Sequence, residues 1–280
     1  MCVFETPLYI YYSHIAVFVL CLLTAILILV HDPKRASNRN AFYFVLIIAL
    51  WVVNVFGQWV IKDAFWNKIV VQASMMSDLF FLFFLYFTYY FTRTEIDLKK
   101  KMILAIPFVV LFFLSFSRYN LEVFDPINCD YSHSLFISLY TYILEIAYAT
   151  WATVLFVRYC KSPNHNFYAP YQMKILIPAV WFYVIWNIIS EEIYRISFAM
   201  GDYIDNTPHF IIGVLFFVSL IAFAIIRKEL FEFPVVITNH YTVVVWTLIF
   251  LGFIFFYSNL TLIILAVIFY AILMYIFWKM

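Results

Sequence analysis

Apolar residues run in stretches of about twenty along the whole chain, and short polar segments separate them. Each stretch is long enough to cross a hydrocarbon core about 30 Å thick as a helix that rises about 1.5 Å per residue. The pattern predicts an all-α membrane protein: a seven-transmembrane helix bundle followed by a C-terminal two-helix transmembrane hairpin. The predicted bundle helices span residues 8–31, 41–61, 68–92, 101–117, 134–159, 171–198 and 208–228, and the hairpin helices span 241–257 and 260–278.

The composition agrees with this pattern. Hydrophobic residues make up 66% of the chain and charged residues only 12%, whereas a soluble domain carries roughly a quarter charged residues. We therefore expect two membrane parts, a bundle over residues 1–229 and a connector with its hairpin over 230–280, and no soluble domain. The first apolar stretch follows neither a basic start nor a small-residue cleavage site, so we expect it to remain as a helix.

Lysine and arginine residues predict the orientation, because cytoplasmic loops of membrane proteins are enriched in these residues. Thirteen of the 17 fall on one face of the predicted topology, and only Lys62, Lys68, Arg118 and Arg195 fall on the other. This bias predicts a plasma (inner) membrane protein with its amino terminus outside and its carboxyl terminus in the cytoplasm. Cys2 and Cys129 then share the outer side, where a disulfide and two unpaired thiols are both open.

Several kinds of chemistry are not supported by the sequence. With four glycines in the chain there is no phosphate-binding loop, and the six histidines have no metal-ligand spacing. The predicted seventh helix has no central lysine for a retinal Schiff base, and the basic residues form no continuous face for nucleic acid. We expect no metal, no cofactor and no enzymatic activity, unless a kinase region is missing from this chain.

Polar residues at membrane depth are the candidate site. Asp78 and Glu145 lie about ten residues from their outer helix ends, which places them roughly 15 Å deep. Ionised carboxylates at such depth cost at least about 2.5 kcal/mol, so they must pair, hold a proton or face the interior. The predicted pocket opens outwards and binds a small ligand or ion through Asn54, Gln58, Asp78, Glu145, Asn187 and Glu191. Interhelical hydrogen bonds that only hold the bundle together are the alternative.

The stretch VIWNIISEEIYRI, residues 184–196, places two carboxylates and one arginine in a single helix. Glu191 and Arg195 are spaced i, i+4, and Glu192 and Arg195 are spaced i, i+3. Arg195 can therefore neutralise one carboxylate, by charge pairing with Glu192 or Glu191, and one is left over. Glu191 shares its helix face with Asn187, which directs both toward the same pocket.

Two short stretches carry a resemblance. The end of the predicted seventh helix, with Ile226, Arg227, Lys228, Leu230, Phe231 and Glu232, resembles the end of the seven-transmembrane N-terminal sensor region of bacterial histidine kinases. Asn38 and Arg39, before an apolar helix that carries Trp51, are also similar to that family. The resemblance implies a two-component sensor in which Arg227, Lys228 and Glu232 relay the signal. Its kinase domains are not in this sequence.

Together these features predict a membrane receptor or sensor module that detects a small ligand or ion and signals to a cytoplasmic kinase or regulator. A secondary transporter or proton-coupled channel that uses the carboxylates is the second interpretation, and a structural membrane subunit is the third. Membrane lipid is the expected surrounding, no nucleic acid is expected as a partner, and homodimerisation is left open.

Overall fold

The protein is mostly helical in its computed structural model, which describes residues 2, 6, 8–31, 33–162, 169–200, 211, 213, 214, 216–218, 220 and 221. Five helical stretches within these residues are long and apolar enough to cross a membrane: Ile10–Val30, Ala36–Val60, Ala64–Phe91, Leu135–Lys161 and Met173–Ser197. The chain therefore has the architecture of a multi-pass membrane protein. The predicted two-helix hairpin at 241–278 lies outside the described residues.

Helices dominate the order of elements. They are α1 (Leu8–His31), α2 (Ala36–Val60), α3 (Ala64–Ala73), a 3₁₀ segment (Ser74–Asp78), α4 (Leu79–Phe91), α5 (Leu98–Ser115), α6 (Leu135–Lys161) and α7 (Ala169–Met200). Two strands, β1 (Leu121–Phe124) and β2 (Tyr131–His133), connect α5 to α6. The described residues between 211 and 221 are also helical and cover part of the predicted seventh helix.

Within the described residues, the predicted helices agree with the structure except over 68–92. α1 has both of its predicted ends, and α2, α5, α6 and α7 each lie within a few residues of theirs. α5 begins with three lysines in its first turn and is not one of the five long apolar stretches, so its crossing of the membrane stays a prediction. The span predicted over 68–92 is present as Ala64–Phe91, but it is not one regular helix. It begins earlier, where Asp63 Oδ1 accepts from Trp66 N at 3.1 Å as a cap, and it is interrupted.

The interruption is the 3₁₀ segment, and it lies inside a membrane span. No proline or glycine causes it, since its sequence is Ser-Met-Met-Ser-Asp. Ser74 Oγ donates to Val71 O at 2.7 Å, a local hydrogen bond that competes with regular helix geometry. The segment packs against α2, α5 and α6. Irregular backbone at membrane depth is tolerated where protein surrounds it, and it frequently marks a functional position.

Aromatic side chains fill the bundle beyond this segment. Phe44 of α2 lies edge-on to Phe80, Phe84 and Phe87 of α4, with ring centroids 5.6–5.7 Å apart. Phe156 of α6 joins them through Phe84, at 6.1 Å. All five rings are almost completely buried, and each such pair contributes about 0.5–1.5 kcal/mol beyond area burial. We call these five residues the aromatic layer.

The strands form the opposite end of the bundle. They pair antiparallel, with Leu121 opposite His133 and Phe124 opposite Tyr131. A disulfide joins Cys129, in the turn between the strands, to Cys2, so the disulfide is the alternative that the structure shows. Cys2 N also donates to Lys62 O, at the end of α2, at 2.7 Å. We call this the hairpin end, and the end that carries Arg93, Lys99–Lys101 and Lys161 the basic end.

Candidate functional site

A ladder of side-chain hydrogen bonds joins α6 to α7 in the half of the bundle next to the hairpin end. On α6 the residues of the ladder lie about one helical turn apart, whereas on α7 two of them, Glu191 and Glu192, are adjacent. The rungs are Ser138 Oγ to Glu191 Oε1 (2.8 Å), Tyr142 OH to Glu192 Oε1 (3.0 Å) and Asn187 Nδ2 to Glu145 Oε1 (2.6 Å), the hydroxyls and the amide donating. Three glutamates of the two helices thus each have a neutral donor.

The deepest carboxyl groups belong to Asp78 and Glu145. Asp78 ends the 3₁₀ segment and is 5% exposed, and Glu145 is 1% exposed. One oxygen of each, Asp78 Oδ2 and Glu145 Oε2, is buried without a hydrogen-bond partner. The two groups interact electrostatically with each other and with Glu191. We call Asp78, Glu145 and Glu191 the carboxyl cluster.

Arg195 settles which glutamate of α7 has a charged partner. Its guanidinium forms an ion pair with Glu192 Oε2 at 2.5 Å, and both side chains are partly exposed, at 40% and 29%. Glu191, one residue earlier, instead accepts from the Ser138 hydroxyl. The ion pair therefore lies at the rim of the site, and the carboxylate that Arg195 leaves over faces the interior of the bundle.

Within the described residues, no cationic side chain is among the groups that interact with the two deepest acids. The described groups that interact with Asp78 are acidic or neutral: Glu145, Glu191, Ser77 and Tyr183. Those that interact with Glu145 are likewise Asp78, Glu191, Asn187, Tyr142 and Tyr183. Within the described residues no group of three or more His, Cys, Asp and Glu side chains has the arrangement of a metal site. The cluster is therefore rich in oxygen acceptors and poor in compensating charge.

Asn54 and Gln58, which the sequence places in the same pocket, belong to a second network. Asn54 Nδ2 donates to Val70 O at 2.9 Å, and Gln58 Nε2 donates to Asn54 Oδ1 at 3.0 Å. Tyr131 OH of β2 donates to Gln58 Oε1 at 2.8 Å, and Tyr131 O accepts from Tyr194 OH of α7 at 2.9 Å. This network ties the hairpin to α2 and α7 above the carboxyl cluster. The predicted pocket is thus two adjoining sets of residues.

Two side chains of β2 have shifted acidities. Burial lowers the pKa of His133 to about 4, and its Nδ1 lies 2.8 Å from Asn120 Oδ1. Burial, and secondarily the Glu191 carboxylate, raises the pKa of Tyr131 above its ordinary value. Both groups are therefore neutral at physiological pH. β2 therefore lies close enough to Glu191 for Tyr131 to interact electrostatically with its carboxylate.

Sequence reasoning missed four residues of the site: Ser138, Tyr142, Tyr183 and Tyr131. Ser138, Tyr142 and Glu145 share one face of α6 at helical spacing, and Tyr183, Asn187 and Glu191 share one face of α7. That spacing was the available signal. Tyr183 interacts electrostatically with both Glu145 and Asp78. Tyr131 had no such signal, because its position depends on how the hairpin folds back over the bundle.

The expected relay residues, Arg227, Lys228 and Glu232, lie outside the described residues. Comparisons with known proteins add no relative: no family model, no curated protein and no solved structure matches this chain. The resemblance to histidine-kinase sensor regions stays a prediction based on its short motifs.

Proposed function

We propose that this chain is a membrane sensor module in which a small ion or ligand binds at the carboxyl cluster and changes the packing of the helices around it. The observation that carries the proposal is the pair of buried oxygens, Asp78 Oδ2 and Glu145 Oε2, that lack a hydrogen-bond partner. An acceptor buried in this way costs about 1–3 kcal/mol. A bound species that satisfies both oxygens would recover that cost.

The position of the cluster favours sensing over transport. Below Asp78, toward the basic end, the aromatic layer fills the space between α2, α4 and α6 with buried rings. Polar and ionisable residues mark ion pathways and proton relays in membrane proteins, and the five rings of this layer offer none. Toward the hairpin end, the ladder and the Asn54–Gln58–Tyr131 network supply polar groups. The site is therefore built for access from the hairpin end.

The output would leave through the helices that meet at the 3₁₀ segment. This segment contacts α2, α5 and α6, so a change in the charge of Asp78 bears on all three helices at once. A stretch of 3₁₀ helix inside an α-helix often marks a functional hinge. We place the partner, a cytoplasmic kinase or regulator, at the basic end, in keeping with the lysine and arginine bias and with the histidine-kinase resemblance. Arg227, Lys228 and Glu232 would carry the signal to it.

Transport is the competing proposal, because carboxyl groups at several depths also suit a proton-coupled transporter. A single pair of measurements separates the two. Cys160, half-buried near the basic end of α6, is a free cysteine that can carry an environment-sensitive fluorophore, whereas Cys21 is buried. In lipid nanodiscs, protons, Na⁺, K⁺ and Ca²⁺ are added in turn. The sensor proposal expects that at least one of them changes the fluorescence and that Glu145→Gln abolishes the change.

The matched control is Glu122→Gln, which removes an exposed carboxylate of β1 and should leave the response intact. Flux is measured in parallel in proteoliposomes with ion indicators inside. Uptake above that of empty vesicles would replace the sensor proposal by transport. A silent Cys160 label together with no flux would overturn both and leave a structural role.

A further inference from the structure

We propose that the species bound by the carboxyl cluster is the proton, held on Asp78 Oδ2 and Glu145 Oε2 and exchanged with water at the hairpin end through Glu191. This inference deepens the proposed function by naming its ligand. Its test detects protonation of the carboxyl groups directly and does not depend on a fluorescence change of the Cys160 label.

The charge balance around Asp78 and Glu145 favours a bound proton. If both were ionised, two buried negative charges would face each other with no described cation among their interacting groups. Uncompensated charges in such surroundings cost several kcal/mol each, and proteins avoid that cost by neutralising the group. Protonation removes the charge without any further ligand. At least one proton on the pair is the simplest arrangement that the described residues allow.

Among the residues that the structure describes, the elements around the pair supply no alternative counter-charge. α7 contributes Tyr183, Glu191, Glu192 and Arg195, and Arg195 is paired with Glu192 at the rim. α6 contributes Tyr142 next to Glu145, β2 contributes Tyr131, and α1 contributes Cys21, which interacts with Tyr183, and the buried His14. The cations of α2 and α5, Arg39 and Lys99–Lys101, are in the first turns of these helices, and Lys68 is in the middle of α3. Lys68 Nζ lies 5.8 Å from the centre of the Phe124 ring.

The burial of Asp78 and Glu145 limits the size of a species that can bind them. Side chains that are 5% and 1% exposed leave no surface for an organic molecule in this conformation. A divalent cation takes six or more oxygen ligands, and the described acids do not form even a three-residue metal set. A proton needs one lone pair. The described residues therefore already form a complete site for a proton.

The hydrogen bonds also indicate which carboxyl oxygen binds the proton. Glu145 Oε1 already accepts the Asn187 amide at 2.6 Å, so Oε2 is the oxygen with a vacant lone pair. On Asp78 the corresponding atom is Oδ2. The exchange is balanced, because a hydronium ion at the hairpin end gives up one proton, one O–H bond forms on a carboxylate, and water remains.

Glu191 connects this pair to the surface. It lies a turn nearer the hairpin end than Asn187, is only partly buried, and accepts a hydrogen bond from Ser138. Glu192 and Arg195 follow at the exposed rim. Carboxyl groups are thus spaced from the rim to the deepest position, while the aromatic layer lies on the other side.

The test is infrared difference spectroscopy of the full chain in nanodiscs, between about pH 8 and about pH 5, where ordinary carboxylates in water stay ionised. We expect a carboxylic-acid C=O band that titrates, shifts in D₂O, and loses intensity in Asp78→Asn and in Glu145→Gln. Glu122→Gln, an exposed carboxylate of β1, should leave the band unchanged. The wild-type band and its D₂O shift test the proposal even if a variant fails to fold.

Two results would overturn the inference. One is a wild-type spectrum with no acid band that exceeds the lipid background, or a band that both variants retain. The other is a difference spectrum produced by Na⁺, K⁺ or Ca²⁺ at constant pH, which would make a metal cation the ligand. A titrating acid band with a silent Cys160 label would support the proton site and overturn the sensor output. A responding label without the band would do the reverse.

Discussion

The amide of Asn187 donates a 2.6 Å hydrogen bond to Glu145 Oε1 across the contact between α6 and α7. Glu145 is almost completely buried, and this is its one hydrogen bond in the described part of the chain. The pair therefore couples the packing of two membrane helices to the state of a single acid. Helix movement that separated these two atoms would leave both oxygens of Glu145 without a partner.

Removal of this amide should destabilise the protein. Asn187→Ala is expected to lower the free energy of unfolding by about 1–2 kcal/mol, the range for side-chain hydrogen bonds between membrane helices. Unfolding in mixed micelles followed by circular dichroism measures it. Asn128→Ala is the control, because Asn128 donates to Asp125 at 2.9 Å on an exposed loop. Equal losses in the two variants would contradict the structural role of Asn187.

The helices could be predicted from the sequence because an apolar run of the right length has few other stable forms in a membrane. The start and end of α1 follow directly from its apolar run. The 3₁₀ segment before Leu79 could not be predicted, since Ser74–Asp78 contains no helix-breaking residue and its shape depends on contacts with three other helices. That break is what delivers Asp78 to Glu145.

The depth of the site residues in the membrane could be predicted from the sequence, but their hydrogen-bond partners could not. Residue count from the helix ends brought Asp78, Glu145 and Glu191 to similar levels, and the structure places them together. Asn54 and Gln58 lie at a comparable level, yet they bond to Val70 and Tyr131. Depth along a helix follows from the sequence alone, whereas the rotation of each helix toward its neighbours is decided by packing. The choice of Glu192 for Arg195 was equally open, since both spacings bring a carboxylate within reach.

The disulfide gives a test of orientation that uses the natural cysteines. Cys2 and Cys129 lie at the hairpin end, and Cys160 lies near the basic end. If the amino terminus is outside, a membrane-impermeant maleimide should label Cys2 and Cys129 in intact cells after reduction. It should label Cys160 only after the cells are permeabilised. Mass spectrometry of the labelled peptides reads the sites, and labelling of Cys160 first would reverse the proposed topology.

The same disulfide should also stabilise the hairpin end. It joins residues 127 positions apart, and cross-links of long loops contribute about 2–4 kcal/mol. A Cys2→Ser, Cys129→Ser double variant should therefore unfold at lower temperature and be cut faster by protease between β1 and β2. Cys160→Ser, which removes a half-buried free thiol and touches no disulfide, is the control. A double variant as stable as the wild type would show that the hairpin is held by Tyr131 and its neighbours alone.

His133 predicts a pH dependence of stability. Burial holds its folded-state pKa at about 4, below the ordinary value of 6.5, so between these values the unfolded chain binds more protons than the folded one. Stability contributed by neutral His133 is fully present above about 6.5 and is lost as the pH falls through about 4. The wild type should lose about 3 kcal/mol more than His133→Gln between pH 7 and pH 4. Unfolding curves of both proteins, measured at each pH, give the two losses. Equal losses of stability in the wild type and in His133→Gln would contradict this prediction.

Gly213 and Trp186 make the sharpest packing prediction. A Cβ added at Gly213 would lie 2.2 Å from Trp186 Cδ1 and 2.8 Å from its Nε1, whereas a Cβ at Gly57 would meet nothing closer than Val70 at 3.4 Å. The indole is a rigid group next to Phe182, with ring centroids 5.6 Å apart, so it can move only by disturbing α7. Gly213→Ala should therefore lower the free energy of unfolding by about 1–3 kcal/mol, as overpacking does. Gly57→Ala, the matched control, should cost little, and Trp186→Leu should restore part of the loss in Gly213→Ala. Thermal unfolding of the three variants in one detergent measures these losses of stability. If Gly213→Ala is as stable as the wild type, Gly213 does not pack against Trp186 of α7.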